Sequence, residues 1–306
     1  MRIFNLLLVG SFLCLLMACG GDQSETPPEK VAQAEEVSEV EEVNPNFQED
    51  ARSSEWVHRS MQKLTDVIVH DIFSPPVASR IYAYPSIAAY EVMRQDNPSH
   101  RTLAGQLNGL TPIPAPEQGK VYCYPLAGIQ AFLQCGKALI FSEDKIEAYQ
   151  QEMMAHFKSL KMPSDVFERS IAYGNRASKH ILAWADKDNY KETRTFPKYS
   201  IPTEERKWKP TPPDYMDGIE PHWMKIRTFA LDSAKQFKPL PPTPVSMEKN
   251  SQFYKETMEV YNAVRKNKEE RLAIASFWDC NPYVSHHIGH VMYATKKITP
   301  GGHWIG

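Results

Sequence analysis

The chain has 306 residues, 42% of them hydrophobic, and 35 Lys and Arg set against 37 Asp and Glu leave a net charge of -2. That length supports one large domain or two small ones, and a near-neutral balance without a basic stripe argues against a nucleic-acid partner. Five cysteines with no Cys-x-x-Cys spacing define neither a disulfide framework nor a zinc site.

At the N-terminus Arg2 precedes an apolar run from Ile3 to Met17. About fifteen residues fall short of the ~18–20 that span a bilayer, so the run reads as a cleaved export signal over residues 1–18. Leu16-Met17-Ala18-Cys19, followed by Gly20-Gly21, resembles a bacterial lipobox. That reading makes Cys19 the acylated first residue of an exported, membrane-anchored lipoprotein, with membrane lipid as its partner. The alternative is an ordinary secretory signal with an incidental cysteine. From Gly20 to Asn46, eight acidic residues face the single Lys30 and there is no aromatic residue. Such a stretch buries too little apolar surface to offset its ordering entropy, so residues 19–50 are expected to form a disordered tether.

The folded part is drawn from residue 51 to residue 306. Apolar positions recur at helical spacing in Trp56, Val57, Met61, Leu64, Val67 and Ile68, and the helix they form is ended by Pro75-Pro76. A second helix is expected from Val77 to Met93, a third from Tyr122 to Leu139, a fourth from Glu143 to Leu160 behind Ser142 as N-cap, and a fifth from Asp165 to Asp186 behind Ser164. In the fifth, Phe167, Ile171, Gly174, Ala177, Ile181, Trp184 and Ala185 form a packing stripe. Residues 188–247 hold ten prolines, with WKPTPPDYMDGIEPHW at their centre. Proline at that density excludes helix interiors, so this region is expected to run over the bundle as a long, turn-rich excursion. Helices resume at Ser251–Lys266, Lys268–Trp278 and Tyr283–Lys297. No alternating strand pattern competes, and the fold class is an all-α helical bundle.

Candidate chemistry is sparse. Cys14 leaves with the signal and Cys19 carries lipid, so Cys123, Cys135 and Cys280 are left; in an oxidising compartment Cys123 and Cys135 can pair across a short loop. His286 and His290 share a helix face at a spacing that can hold a metal, and His287 and His303 lie near, but no HExxH is present and packing is the simpler reading. Lys296, Lys297 and the Pro300-Gly301-Gly302-His303 turn either bind an anion or make a tight turn that lets His303-Trp304 pack. Glu269-Glu270 sit among basic residues as solvated charge. Gly-x-Ser-x-Gly and P-loop motifs are absent. No catalytic, cofactor-binding or metal-ligating residue is assigned.

Several separated segments carry a family resemblance: PPVASRIYAYPSIAAYE (Pro75–Glu91), YGNRASKHILAWADKDNY (Tyr173–Tyr190), WKPTPPDYMDGIEPHW (Trp208–Trp223), FWDCNP (Phe277–Pro282) and KKITPGGHW (Lys296–Trp304). Over about Trp56 to Gly306 the chain resembles the bacterial lipoprotein branch of the vanadium-dependent haloperoxidase and type 2 phosphatidic acid phosphatase (PAP2)-like superfamily. The resemblance implies an all-α bundle and, in a complete enzyme, a cage of lysine, arginines and histidines that holds vanadate or phosphate. Its Arg-Pro and Ser-Gly-His motifs do not occur in these 306 residues. No catalytic residue is therefore carried over, and vanadate is not expected to bind this chain alone. The complete form is expected to oxidise halides with peroxide on vanadate or to hydrolyse phosphate monoesters. The alternative is a truncated, non-catalytic helical scaffold or binding module, whose bare apolar face would favour a homo-oligomer.

Overall fold

The computed structural model describes residues 42–204, 207–266 and 268–279, all within one compact unit that spans residues 41–306. Its helices are α1 (Phe47–Asp50), α2 (Glu55–His70), α3 (Pro75–Met93), α4 (Tyr124–Lys137), α5 (Glu143–Ser159), α6 (Ser164–Ala185), α7 (Tyr190–Thr193), α8 (Gln252–Arg265) and α9 (Lys268–Trp278). Short 3-10 turns follow α3 at Arg94–Asp96 and interrupt the proline-rich stretch at Trp223–Lys225. Among the described residues there is no β-sheet, so the all-α expectation holds.

Helix α4 is the axis of the bundle. Every residue from Leu126 to Leu133 is buried, which is the signature of a helix enclosed on all sides. On one side its Ile129 and Leu133 pack with Leu64 and Ile68 of α2, Ile81 of α3, and Met153 and Phe157 of α5. On the other, Ala127, Ala131 and Cys135 pack with Tyr84, Ala88 and Val92 of α3 and with Tyr173, Ala177, Ile181 and Trp184 of α6. The small residues on this second face bring α3 and α6 close. One polar residue interrupts the axis: Gln130 donates to Asn175 Oδ1 at 2.8 Å and accepts from Gln150 Nε2 at 2.9 Å. These amide bonds tie α4 to α6 and α5, so the buried polar group is satisfied.

Packing begins ahead of the residue-51 boundary drawn from the sequence. Phe47 is buried, and the Asn44 amide donates to the Lys161 carbonyl at 2.9 Å.

The N-terminus of α5 is satisfied differently from the sequence expectation. Ser142 occupies the N-cap position but makes no cap bond of its own. Asp71, just past α2, instead accepts from the amides of Phe141 and Ser142 at 2.9 and 3.0 Å and from the Ser142 hydroxyl at 2.5 Å. Ser164 is likewise the first residue of α6, and Pro163 precedes it. Burial by itself would raise the Asp71 carboxyl, but donation from Ser142, His70 and the Phe141 amide outweighs it and holds the pKa below the ordinary 3.8. The unfolded chain then takes up this proton at a higher pH than the folded one. The contribution is full above the unfolded pKa and is lost as pH falls through the folded value. Asp71→Ala is expected to cost about 1–3 kcal/mol at neutral pH. In urea melts that deficit should shrink as the pH falls below the ordinary carboxylate value and through the lowered folded one; a deficit unchanged by acid would contradict the charged-cap account.

Helices α8 and α9 begin and end close to where the sequence places them. Ser251 caps α8 by accepting from the Tyr254 amide at 3.2 Å. No residue of α8 is buried, and Val260, Tyr261, Val264, Leu272, Ile274, Phe277 and Trp278 are exposed. No helix among the described residues is long and apolar enough to cross a membrane. The helix expected at Tyr283–Lys297 lies outside the described residues.

Candidate functional site

The most developed polar centre joins the bundle to the proline-rich excursion. Arg80 and Tyr84 lie one turn apart on α3, so both side chains leave the same face. They meet Asp188, which follows the C-terminus of α6. Asp188 Oδ2 accepts from Arg80 Nε at 2.6 Å and from the Tyr84 hydroxyl at 2.8 Å, while Oδ1 accepts from the Tyr190 amide at 2.8 Å. The ion pair is almost sealed, with the Arg80 side chain 8% exposed and Asp188 2%. The Arg80 guanidinium lies 5.0 Å from the Tyr84 ring centroid and 4.5 Å from that of Tyr190.

Arg227 arrives from the excursion and closes this node. Its guanidinium donates to the Trp184 carbonyl and to the Tyr84 hydroxyl, each at 3.0 Å, and lies 4.4 Å from the Trp184 ring centroid. Its backbone amide donates to the Asp188 carbonyl at 2.9 Å. Next to it, Asn108 donates from its backbone to the Phe229 carbonyl at 2.7 Å and from its side chain to the Leu231 carbonyl at 2.7 Å. Burial, then the Asp188 charge, push the Tyr84 phenol far above its ordinary value, so it stays a neutral donor. Asp188, Arg80 and the Tyr84 hydroxyl are committed to one another, while Arg227 Nε is buried with no hydrogen-bond partner among the described residues. The node is chemically a lock that fixes the excursion on the bundle, not an acid–base site.

A second buried carboxylate organises the segment after α3. Glu91 accepts from Arg94 Nε at 2.9 Å, the Thr102 hydroxyl at 2.9 Å and the Leu103 amide at 2.6 Å. A cavity of about 380 Å³ has Met93, Tyr124 and Ile129 among its walls and the Arg52–Asp96 ion pair, 2.6 Å, in its lining. Two cavities of about 600 and 430 Å³ lie in the excursion, on a shared wall formed by Met216, Asp217, Gly218 and Ile219. In the smaller of the two, Arg194 is paired with Glu220.

These pairings bear on oxyanion binding. Arg52, Arg80, Arg94 and Arg194 each face a carboxylate: Asp96, Asp188, Glu91 and Glu220. An oxyanion cage needs several cations and amides turned toward one open point. The described residues do not fit such a group. Nor, among them, is any set of three or more His, Cys, Asp and Glu placed to hold a metal ion.

Of the residues singled out in the sequence, Cys19, Cys280, His286, His287, His290, Lys296, Lys297 and His303 lie outside the described residues. Glu269 and Glu270 are exposed on α9. The pairing of Cys123 with Cys135 is corrected: both are free and buried. They sit at the two ends of α4, twelve residues apart, which at 1.5 Å per residue is about 18 Å and far beyond disulfide reach. Burial pushes the Cys123 thiol up to about 11 and Cys135 higher still, so neither is a nucleophile at neutral pH. Peptide mapping after iodoacetamide treatment of the native protein is expected to find both unmodified, with modification only after unfolding. Rapid native alkylation of either would contradict this placement. The Arg80–Tyr84–Asp188–Arg227 node was not foreseen. Its one signal in the sequence is an arginine with a tyrosine four residues on inside a largely apolar helix.

No family model and no curated protein sequence matches the chain. Among solved structures it is similar to one described as the first bacterial vanadium-dependent iodoperoxidase, with 48% identity and a TM-score of 0.71. The match covers 76% of this chain and 57% of the other, so the chain spans a little over half the length of that structure.

Proposed function

Because the chain belongs to the vanadium-dependent haloperoxidase and PAP2-like superfamily, we propose that it forms part of the helical scaffold of an enzyme that oxidises halide with peroxide on vanadate. The observation that carries the halide reading is the 48% identity to a bacterial iodoperoxidase across three quarters of this chain. The described residues supply the bundle around α4 and the lock that seats the proline-rich excursion on it. They do not supply the oxyanion cage, so no catalytic step is routed through them. The small-molecule substrate is a halide, and iodide is the first to test.

Phosphate-monoester hydrolysis is the competing reading, and vanadate separates the two. A haloperoxidase requires it, whereas a phosphatase is inhibited by it because vanadate imitates the phosphoryl transition state. The complete gene product is expected to show negligible p-nitrophenyl phosphate hydrolysis. Hydrolysis suppressed by added vanadate, with no iodide oxidation, would overturn the proposal.

We further propose that the protein is exported and held at a bacterial membrane surface by acylated Cys19, with the acidic stretch as its tether. The support is the order of charge, apolar run and Leu16-Met17-Ala18-Cys19. Cys19→Ser is expected to abolish labelled palmitate incorporation and move the protein from the membrane to the soluble fraction. Unchanged labelling and fractionation would rule the anchor out.

A further inference from the structure

We propose that the cavity of about 600 Å³ in the proline-rich excursion binds a small organic ammonium ion. Its size lies within the range of small-molecule sites, and its walls combine an aromatic corner, apolar side chains and two carboxylates. The corner is made by Tyr199 and Trp208, whose rings meet edge to face with centroids 5.5 Å apart. Trp208 is 52% exposed and Tyr199 38%, so ring surface is open to a ligand.

The carboxylates are Asp214 and Asp217, both exposed. Among the described residues neither forms a hydrogen bond or an ion pair, unlike Asp96, Asp188, Glu91 and Glu220. Among the described residues no lysine, arginine or histidine lines this cavity. Its neighbour of about 430 Å³, which Asp217 also lines, contains Arg194, Lys198 and His222 and has Arg194 paired with Glu220, so among the described residues Asp214 is the carboxylate that faces the larger cavity alone. Aromatic faces beside unpaired carboxylates favour a cation with an apolar skin, which gains from the rings and from the charge at once.

The backbone is suited to hold this shape. Pro212, Pro213 and Pro221 restrict φ around the cavity, which lowers the ordering cost of binding. Gly218 lets the chain lie against Tyr199, since a Cβ there would fall 3.2 Å from the ring.

Choline and its neutral isostere 3,3-dimethylbutanol test the proposal by calorimetric titration of the full chain. Choline is expected to bind at least about tenfold more tightly than the isostere, and less tightly as salt is raised. Asp214→Asn with Asp217→Asn, and separately Trp208→Ala, are each expected to weaken choline about tenfold or more, while Trp208→Phe keeps most of the binding. All three positions of substitution are on the surface, and matching thermal melts would establish that the variants fold. Equal affinity for choline and isostere, choline binding unaffected by these substitutions, or no binding at millimolar choline would overturn it. None of these outcomes depends on halide oxidation, so this site and the proposed activity stand or fall separately.

Discussion

Asp188→Ala is expected to destabilise the folded region by about 3–5 kcal/mol, the usual cost of leaving one member of a buried ion pair without its partner. The carboxylate accepts from Arg80, Tyr84 and the Tyr190 amide, and all three donors lose their acceptor together. Arg80, at 8% side-chain exposure, has little water to turn to. The loss should extend to position as well as stability. With the carboxylate gone, the Tyr190 amide and the Tyr84 hydroxyl that it holds are released, and limited proteolysis is expected to cut within residues 189–247 earlier than in the parent protein. Arg80→Met combined with Asp188→Leu removes both charges and should recover much of the stability. Tyr84→Phe removes the hydroxyl's bond to the Asp188 carboxylate and the acceptor of one Arg227 bond, and should cost about 1.5–3 kcal/mol or more. Equilibrium urea unfolding measures each. A loss below about 1 kcal/mol for Asp188→Ala would mean that the pair is well solvated and does not hold the excursion.

Gly174→Ala should also be damaging, although alanine is the better helix former by about 0.5–1 kcal/mol. A Cβ at Gly174 of α6 would fall 2.4 Å from the Ala127 carbonyl oxygen of α4 and 2.9 Å from Gln130 Cβ. The first obstacle is backbone of the central helix, so relief requires the two helices to part. Overpacking typically costs about 1–3 kcal/mol, and separation of this seam also strains the Gln130–Asn175 bond. Gly128→Ala supplies the control. There a Cβ would meet the Met93 side chain at 2.5 Å, and Met93 borders the cavity of about 380 Å³ into which it can turn. Gly128→Ala is therefore expected to cost less than Gly174→Ala in the same urea melts. The reverse order would contradict the close α4–α6 approach.

Much of the fold is legible in the residues because burial here follows helical spacing. Trp56, Val57, Leu64, Val67 and Ile68 are the buried face of α2, and Gly174, Ala177, Ile181, Trp184 and Ala185 that of α6. Phe167 and Ile171, at the start of the α6 stripe, are only half-buried and pack toward the other core cluster. What periodicity does not reveal is which polar group answers which. Asp71 caps a helix seventy residues away in sequence, and Asp188 finds Arg80 more than a hundred residues back. Spacing along the chain carries no trace of such pairs. Cys123 and Cys135, whose pairing the sequence left open, show the converse: a short separation in sequence is a long one when an α-helix fills the interval. For the site, the sequence localised its candidates to residues 280–306, which lie outside the described residues. The resemblance carried by the Trp208–Trp223 and Tyr173–Tyr190 segments pointed to the same superfamily as the similarity to a bacterial iodoperoxidase.

The measurement that bears most directly on the proposed function is the rate of iodide oxidation by peroxide as vanadate is titrated into the metal-stripped complete gene product. A rate that is absent without vanadate and saturates as vanadate is added is the expected result. No iodide oxidation at any vanadate concentration, from protein whose cooperative melt shows it folded, would contradict it.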